Sequence, residues 1–436
     1  MKIGLFTDSY RPATNGIVYV VDITRRELEA LGHEVYVFAP AANLRNHVTE
    51  EDRDDPRVIH FPAIKGVGFS ESQLSLFFPP RILKKIRELK LDVLYFLTTG
   101  QVGAMAAYAA RKTNAVLVGQ HSTDVYEYAK NYPLMTAVAL PLPSMILPMA
   151  LELTTEQKKL LARAYVPPVS RSSRANQTLP TNVIGASISI LYSACDATIA
   201  LSRKSAKQLT MLAEKSQQQL AIEVIPTGVD ALPMADKATV KAFRDKLGLH
   251  DNDEVVLYVG RLGEEKNLAM LIPMMEKLIR KQPNAKLVFV GDFDFRETLE
   301  KLALASRAAG KILFAGRLPR QQLSMAYQAA EAFVFPSLTD TQGLVIQEAA
   351  HTGLPLVLCD PDVSECFRDG QNGFLAKNTP RDVANKLATI LADDKLRAEF
   401  RARSKQLAES LSERTQTEKL VALFRRLLKQ DSSIES

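Results

Sequence analysis

Short apolar runs without polar alternation recur along the chain. They fall at residues 3–6, 34–38, 93–96, 115–119 and 197–200, and again at 255–259, 286–290, 312–314, 332–335 and 354–358. Runs of this kind suit parallel strands buried on both faces. Segments with helical spacing separate them, among them residues 18–31 and 268–281. The alternation predicts an α/β protein built from two doubly wound, Rossmann-like domains. The pattern puts the boundary near Leu201 and Ser202, giving domains of residues 1–201 and 202–412. A final amphipathic helix, within residues 413–436, is expected to cross back onto the first domain.

Composition narrows the class. A chain of 436 residues, 46% hydrophobic and 24% charged, has the balance of a globular protein with ample core. The formal charge of +6 and pI of about 9.0 reflect a mild basic excess spread over both halves. That excess is compatible with phosphate-bearing substrates or an anionic membrane surface and is no nucleic-acid footprint. Three cysteines without a CxxC pair argue against a disulfide framework and fit a reducing cytoplasm. The six histidines are scattered, with no metal-ligand spacing. The opening Met1-Lys-Ile-Gly-Leu-Phe-Thr-Asp8 has no signal-peptide architecture and is expected to belong to the fold.

The most informative stretch is Phe335-Pro-Ser-Leu-Thr-Asp340-Thr-Gln-Gly-Leu-Val-Ile-Gln-Glu348. A strand leads in and a helix is predicted from near Gln342, so unpaired backbone N–H groups and a positive dipole end face the loop. Asp340 lies in that loop, with Glu348 nearly two turns along the helix. Two carboxylates so placed can hold different parts of one elongated polar ligand, such as a sugar joined to a nucleotide. Alone, such acids could simply answer the helix dipole.

Other stretches carry chemistry. Gly260-Arg261-Leu-Gly-Glu-Glu265-Lys266 follows the first strand of the second half. Arg261 and Lys266, five apart around a turn, can converge on a diphosphate and stabilise the charge of a leaving group. As solvated cations at a helix start they would oppose the dipole. Gly16, in Arg11-Pro-Ala-Thr-Asn15-Gly16, can let backbone approach a phosphate or sugar, although a lone glycine there is commonly turn chemistry. His121 stands beyond an apolar strand, a place where a histidine is commonly structural. Asp292-Phe-Asp294 has the form of a metal-binding Asp-x-Asp but follows a buried strand in an α/β unit.

Residues 133–151 carry no charge, and Lys158, Lys159, Arg163, Arg171 and Arg174 follow. Prolines 133, 141, 143 and 148 argue against one uninterrupted membrane-spanning helix. An apolar wedge containing Leu140, Met145 and Ile146 beside a basic loop reads as an interfacial element on anionic lipid. A buried hairpin with a surface loop is the other reading.

The run from Asp340 to Glu348 resembles the Glu-x7-Glu motif of retaining family 4 glycosyltransferases, and Gly260-Arg261 with Lys266, five positions beyond the arginine, is similar to that family's Gly-Arg…Lys pattern. The Thr-Gln-Gly-Leu-Val core is similar to bacterial enzymes that transfer glucose or galactose to diacylglycerol. The resemblance implies a GT-B architecture with the active site in the cleft between domains. It implies Asp340 on the donor-sugar hydroxyls and Glu348 on the nucleotide ribose, assisted by backbone N–H groups of Gln342, Gly343 and Leu344. Arg261 and Lys266 would hold the diphosphate, and His121 would bond a sugar hydroxyl. Gly16 would touch donor or acceptor, and Tyr126 would lie in an acceptor segment. The base would lie near Arg317 and the Gly291–Asp292 turn. Two departures are visible: Asp340 where most relatives carry Glu, and Asn15 in place of a glycine.

The implied enzyme is a retaining hexosyltransferase, peripherally bound at the cytoplasmic membrane face. It would move glucose from UDP-glucose to a lipid such as diacylglycerol by front-face displacement, with no metal and no cofactor. Alternatives are a soluble or polyprenyl-linked glycan acceptor, GDP-mannose as donor, a non-hydrolysing sugar-nucleotide epimerase, or a silent nucleotide-sugar-binding protein. No GxGxxG follows the first strand, which disfavours a dinucleotide enzyme.

Overall fold

The computed structural model describes residues 1–13, 15–41, 55–65, 73–74, 80–122, 141–164 and 173–434. Two units divide the chain, Met1–Thr227 with Glu413–Ser436, and Gly228–Ser412. Each is built on one parallel sheet.

In the first unit the strands are β1 (Lys2–Phe6), β2 (Glu34–Pro40), β3 (Val58–Phe61), β4 (Val93–Phe96), β5 (Val116–His121), β6 (Ala197–Ala200) and β7 (Ile222–Val224). Their order is β3-β2-β1-β4-β5-β6-β7, all parallel. The order reverses between β1 and β4, the switch point at which doubly wound sheets bind ligands. The helices are α1 (Gly16–Ala30), α2 (Pro80–Leu89), α3 (Gln101–Thr113), α4 (Pro141–Ala150), α5 (Thr155–Ala164), α6 (Ser173–Ser193) and α7 (Arg203–Ser216).

In the second unit α8 (Lys237–Lys246) precedes β8 (Glu254–Val259), α9 (Leu271–Leu278), β9 (Ala285–Val290), α10 (Arg296–Leu304), β10 (Ile312–Gly316), α11 (Leu323–Gln328) and β11 (Ala332–Phe335). Next come α12 (Leu344–Thr352), β12 (Leu356–Leu358), β13 (Gly373–Leu375), α13 (Pro380–Ala392) and α14 (Asp394–Glu409). The strand order β10-β9-β8-β11-β12-β13 reverses between β8 and β11. Val255–Val259 and Leu287–Val290 are at most 4% exposed, as unalternated strands between two helical layers should be.

Local sequence sets the ends. Asn15 caps α1, accepting from the N–H groups of Ile17 and Val18. Thr379 caps α13, with Pro380 at the first helical position. Gly353, at φ +87°, closes α12 in the left-handed region that a side chain would strain.

The boundary lies later than the sequence pattern places it. α7 and the seventh strand β7 belong to the first unit, and β7 extends its sheet by pairing with β6. β7 is only three residues long, Ile222-Glu223-Val224, with a charge at its centre, so it leaves no apolar run to read. The last helix, α15 (Glu413–Ile434), joins the first unit. Its Glu413 carboxylate accepts from Tyr19 Oη at 3.1 Å and pairs with Arg26, both on α1. Phe424 meets the Tyr95 ring edge-on.

Part of the apolar segment is core. Leu140 and Tyr126 lie outside the described residues. Met145 falls within α4, whose Pro148 sits inside the helix. Ile146, expected at a lipid surface, is instead half-buried against the first unit's core, with Leu147, Ala150 and Leu151. The helical turn puts Leu147 inward at 2% exposure and Met149 outward at 76%. Among the described residues no helix is long and apolar enough to cross a membrane. All three cysteines are free, and burial raises every thiol, Cys366 to about 11 and Cys359 to about 12. None is poised as a thiolate.

Leu147→Ala should lower unfolding free energy by roughly 2–5 kcal/mol in urea titration. Met149→Ser should stay within about 0.5 kcal/mol of wild type. Equal effects would refute this division of α4 into a core face and a solvent face.

Candidate active site

The second unit brings Arg261, Lys266 and Asp340 together at the switch point. Lys266 follows β8 and Asp340 follows β11, the two strands flanking the reversal. Lys266 Nζ donates to Asp340 Oδ1 at 2.7 Å, with both side chains largely buried. Asp340 Oδ2 is buried without a hydrogen-bond partner. An ionised oxygen left so is costly and is satisfied when a ligand donor arrives.

Glu265 organises the cations. Its side chain, 5% exposed, accepts from Arg261 Nη2 at 2.7 Å and lies 4.0 Å from Lys266 Nζ. The Arg261 guanidinium also lies over the Phe293 ring, 4.5 Å from its centroid. Tyr258 Oη donates to the Arg261 carbonyl at 3.2 Å, and Thr339 Oγ1 to the Glu265 carbonyl at 3.2 Å. The loop after β8 is thereby tied to the loop carrying Asp340.

Glycine makes the edge of the sheet close. Gly260 N–H donates to the Val290 carbonyl at 3.0 Å, and Gly291 N–H to the Gly316 carbonyl at 2.9 Å. A Cβ on Gly291, whose φ is +142°, would stand 1.8 Å from the Gly260 oxygen. Only glycine lets these turns meet.

Glu348 is the fifth residue of α12, little more than one turn in, because the helix starts at Leu344 rather than near Gln342. Gly343 is non-helical at φ −92° and ψ 87°, and its N–H donates to the Val363 carbonyl at 3.4 Å. Of the three backbone donors expected at Gln342, Gly343 and Leu344, that of Gly343 is therefore already engaged. The Glu348 side chain is 2% exposed, pairs with Arg320 through Oε1 and accepts from Tyr327 Oη at 2.8 Å through Oε2. Arg320 and Tyr327 went unread in the sequence, since neither stands in the acidic motif. Arg317 is exposed at the end of β10, and Arg320, three residues on, is the arginine that meets Glu348. Burial raises the Tyr327 hydroxyl well above its ordinary pKa, with Glu348 adding to the shift, so it stays a donor.

Asp292 is half exposed, with Oδ1 accepting from the Phe293 N–H at 3.0 Å and Oδ2 3.6 Å from Arg296. Among the described residues no group of three or more His, Cys, Asp or Glu side chains is placed to hold a metal ion.

Gly16 and His121 belong to the first unit. Gly16 is exposed at the first position of α1, where Asn15 Oδ1 accepts from the Ile17 and Val18 N–H groups, both at 3.1 Å. The residue replacing the family's glycine thus caps the helix end that a phosphate could otherwise use. His121 is the last residue of β5, buried, with Nδ1 3.2 Å from Tyr192 Oη. Burial lowers its pKa to about 4.

Tyr327→Phe removes one of two partners of a buried carboxylate. It should lower kcat/KM for the donor by about tenfold, the scale of a hydrogen bond to a charged group. Unchanged steady-state kinetics would show that Glu348 needs only Arg320.

His121 carries a pH signature. Its folded pKa lies below the ordinary 6.5, so the unfolded chain takes up the proton first. The stability it confers is intact above pH 6.5 and is lost as pH falls toward about 4. Between pH 7 and pH 5 that loss is about 2 kcal/mol. His121→Asn should remove this part of the slope in urea unfolding; an identical slope would contradict a neutral buried ring.

Residues 239–407 match the glycosyl transferases group 1 family and residues 14–147 match Glycosyltransferase Family 4, together more than half of the chain. The alpha-monoglucosyldiacylglycerol synthase of Acholeplasma laidlawii is 28% identical over 87% of this chain and 85% of its own. The sulfoquinovosyl transferase SQD2 of Arabidopsis thaliana is 28% identical over 91% of this chain and 67% of its own. Among solved structures, Anabaena Alr3699/HepE in complex with UDP superposes with a TM-score of 0.68 at 18% identity, covering 98% of this chain and all of that one. That likeness bears on the fold alone. With two Rossmann-like parallel sheets of GT-B type, the chain belongs to the family 4 glycosyltransferases and is a hexosyltransferase.

Proposed function

We propose that the protein is a retaining glycosyltransferase that moves glucose from UDP-glucose to a lipid hydroxyl, such as that of diacylglycerol, at the cytoplasmic face of a membrane. The observation that carries this reading is the Lys266–Asp340 pair at the switch point, with Asp340 Oδ2 unpartnered. A cation and a carboxylate oxygen side by side suit a diphosphate joined to a sugar. Arg261 and Lys266 take the charge that builds on the diphosphate as the bond from C1 to phosphate oxygen breaks. Asp340 Oδ2 accepts from a donor-sugar hydroxyl, and Glu348, held by Arg320 and Tyr327, receives the ribose hydroxyls. The acceptor oxygen bonds C1 from the face the phosphate leaves, and its proton passes to the leaving phosphate oxygen. The relatives named as alpha-monoglucosyldiacylglycerol synthases support a glucosyl group and a lipid acceptor.

Membrane association has its own support in the first unit. Met149 is exposed on α4, and Lys158, Lys159 and Arg163 are exposed on α5. Each cation could add roughly 1 kcal/mol on an anionic leaflet.

Arg261→Ala and Lys266→Ala should each lower turnover by about a hundredfold or more, as loss of a transition-state charge partner does. Full activity in both would remove the diphosphate assignment. The reading as a whole is tested with purified protein, a panel of nucleotide sugars and diacylglycerol in anionic vesicles, with chelator present. Glucolipid of α configuration should form from UDP-glucose alone among the panel. Transfer that needs added manganese or magnesium would promote Asp292 and Asp294 to ligands, and transfer only to a soluble glycan would overturn the lipid acceptor.

A further inference from the structure

His121 does not stand alone at the end of β5. Tyr192, 71 residues away on α6, is fully buried, and its hydroxyl lies 3.2 Å from His121 Nδ1 and 3.1 Å from the Gln120 carbonyl. A phenol has one proton to give. The Gln120 carbonyl can only accept, so a Tyr192 proton aimed at Nδ1 would leave two acceptor oxygens facing each other at 3.1 Å. Only one arrangement satisfies both contacts: Nδ1–H donates to Tyr192 Oη, and Tyr192 Oη–H donates to the Gln120 oxygen.

The surroundings hold that arrangement. Tyr192 stacks on Phe96 at 6.0 Å between centroids and 13° between planes, and meets the His121 ring edge-on at 75°. Phe96 lies where a Cβ on Gly119 would be, 2.4 Å from its ring, so the glycine two residues before His121 admits the stack. The backbone beside His121 is fixed as well. Tyr95 Oη donates to the Gln120 side-chain oxygen, Gln120 Nε2 donates to Ser122 Oγ at 2.7 Å, and Ser122 Oγ donates to the Leu97 carbonyl at 2.6 Å.

We propose that Tyr192 is a positioning residue that locks His121 in its Nδ1–H tautomer, so that Nε2 offers a lone pair and accepts a hydrogen bond from a substrate hydroxyl. The tautomer follows from the geometry alone; the hydroxyl contact rests on the reading of His121 as a donor-sugar residue. An imidazole so held accepts and does not donate, which selects for a hydroxyl and against a bare carbonyl or phosphate oxygen at that point. Burial, which keeps the ring neutral, preserves the lone pair.

The test is a long-range 1H–15N correlation spectrum of the full chain labelled in histidine, with His121 assigned by loss of its signals in His121→Asn. The expected pattern is a protonated Nδ1 and an unprotonated Nε2, and an Nε2–H form overturns the proposal. In Tyr192→Phe the two nitrogen shifts should move toward each other as tautomers mix, and kcat/KM should fall about tenfold, the scale of one buried hydrogen bond. Ser189→Ala removes a buried hydroxyl from α6, bonded to Ser216 and the Leu212 carbonyl and not to His121, and should leave its shifts unchanged. An unchanged pattern in Tyr192→Phe removes Tyr192 from the role; should that variant not fold, the wild-type spectrum decides the tautomer alone. On adding UDP-glucose, Nε2 should move while Nδ1 stays. An Nε2 that does not move overturns the sugar contact and leaves the tautomer standing.

Discussion

A carboxylate withdrawn from water at the carboxyl edge of a parallel sheet must be given partners, and the two units answer that demand in opposite ways at equivalent places. In the first unit Asp8 follows β1, beside the reversal of strand order. It accepts from Thr98 Oγ1 at 2.5 Å, from the Gly100 N–H at 3.1 Å and from the Val102 N–H at 3.0 Å. The start of α3, where an anion could have been received, is thus occupied by the chain's own acid. Burial pushes the Asp8 carboxyl up while these hydrogen bonds hold it down. In the second unit the position after the first strand is held by a cation, Lys266, and the acid comes from across the reversal. One switch point presents a satisfied anion and the other a cation with a half-satisfied acid. Equivalent folds therefore offer opposite electrostatics.

Glu348 states the same constraint more severely. Removing one partner of a buried, ion-paired carboxylate typically costs 3–5 kcal/mol, more than the pair contributes over an apolar replacement. Arg320 and Tyr327 are therefore as much a part of the site as the acid they hold. Tyr327 sits on α11 and Arg320 in the turn before it, so the packing of α11 on α12 sets where Glu348 points. The orientation of that carboxylate is fixed by its own chain before any ligand arrives.

What the sequence made legible follows from range. The strands 93–96, 197–200 and 332–335 can be read residue for residue, because a run buried on both faces carries its signal within itself. Lys266, Asp340 and Arg261 stand in short stretches whose turn chemistry and charge are local. The seventh strand of the first sheet was not legible, since Ile222–Val224 has no apolar pattern and is defined only by pairing with β6. Length and lack of charge do not distinguish a lipid-facing run from one that turns half its residues inward, so the half-burial of Ile146 against the core is not legible in the sequence. Arg320 for Glu348, like Tyr192 for His121, lies 28 or more residues from the group it serves. No spacing rule links such pairs; only the folded sheet brings them together.

The substitution of Asp for the family's usual Glu at position 340 gains meaning from these contacts. A side chain one methylene shorter withdraws its carboxylate toward the backbone by roughly one carbon–carbon bond, about 1.5 Å. In this chain the withdrawal coincides with a 2.7 Å bond to Lys266, itself tethered to a loop that Thr339 binds through the Glu265 carbonyl. One oxygen of Asp340 is thereby committed to the cation, and only Oδ2 remains for a ligand. A longer acid could reach past the lysine and span two hydroxyls; Asp340 can hold one firmly. Shortening the acid thus exchanges reach for a fixed spacing between cation and acceptor oxygen. On the proposed reading of Asp340 as a donor-sugar residue, discrimination among sugars depends on whether one hydroxyl falls at that spacing, which is a constraint of position more than of charge.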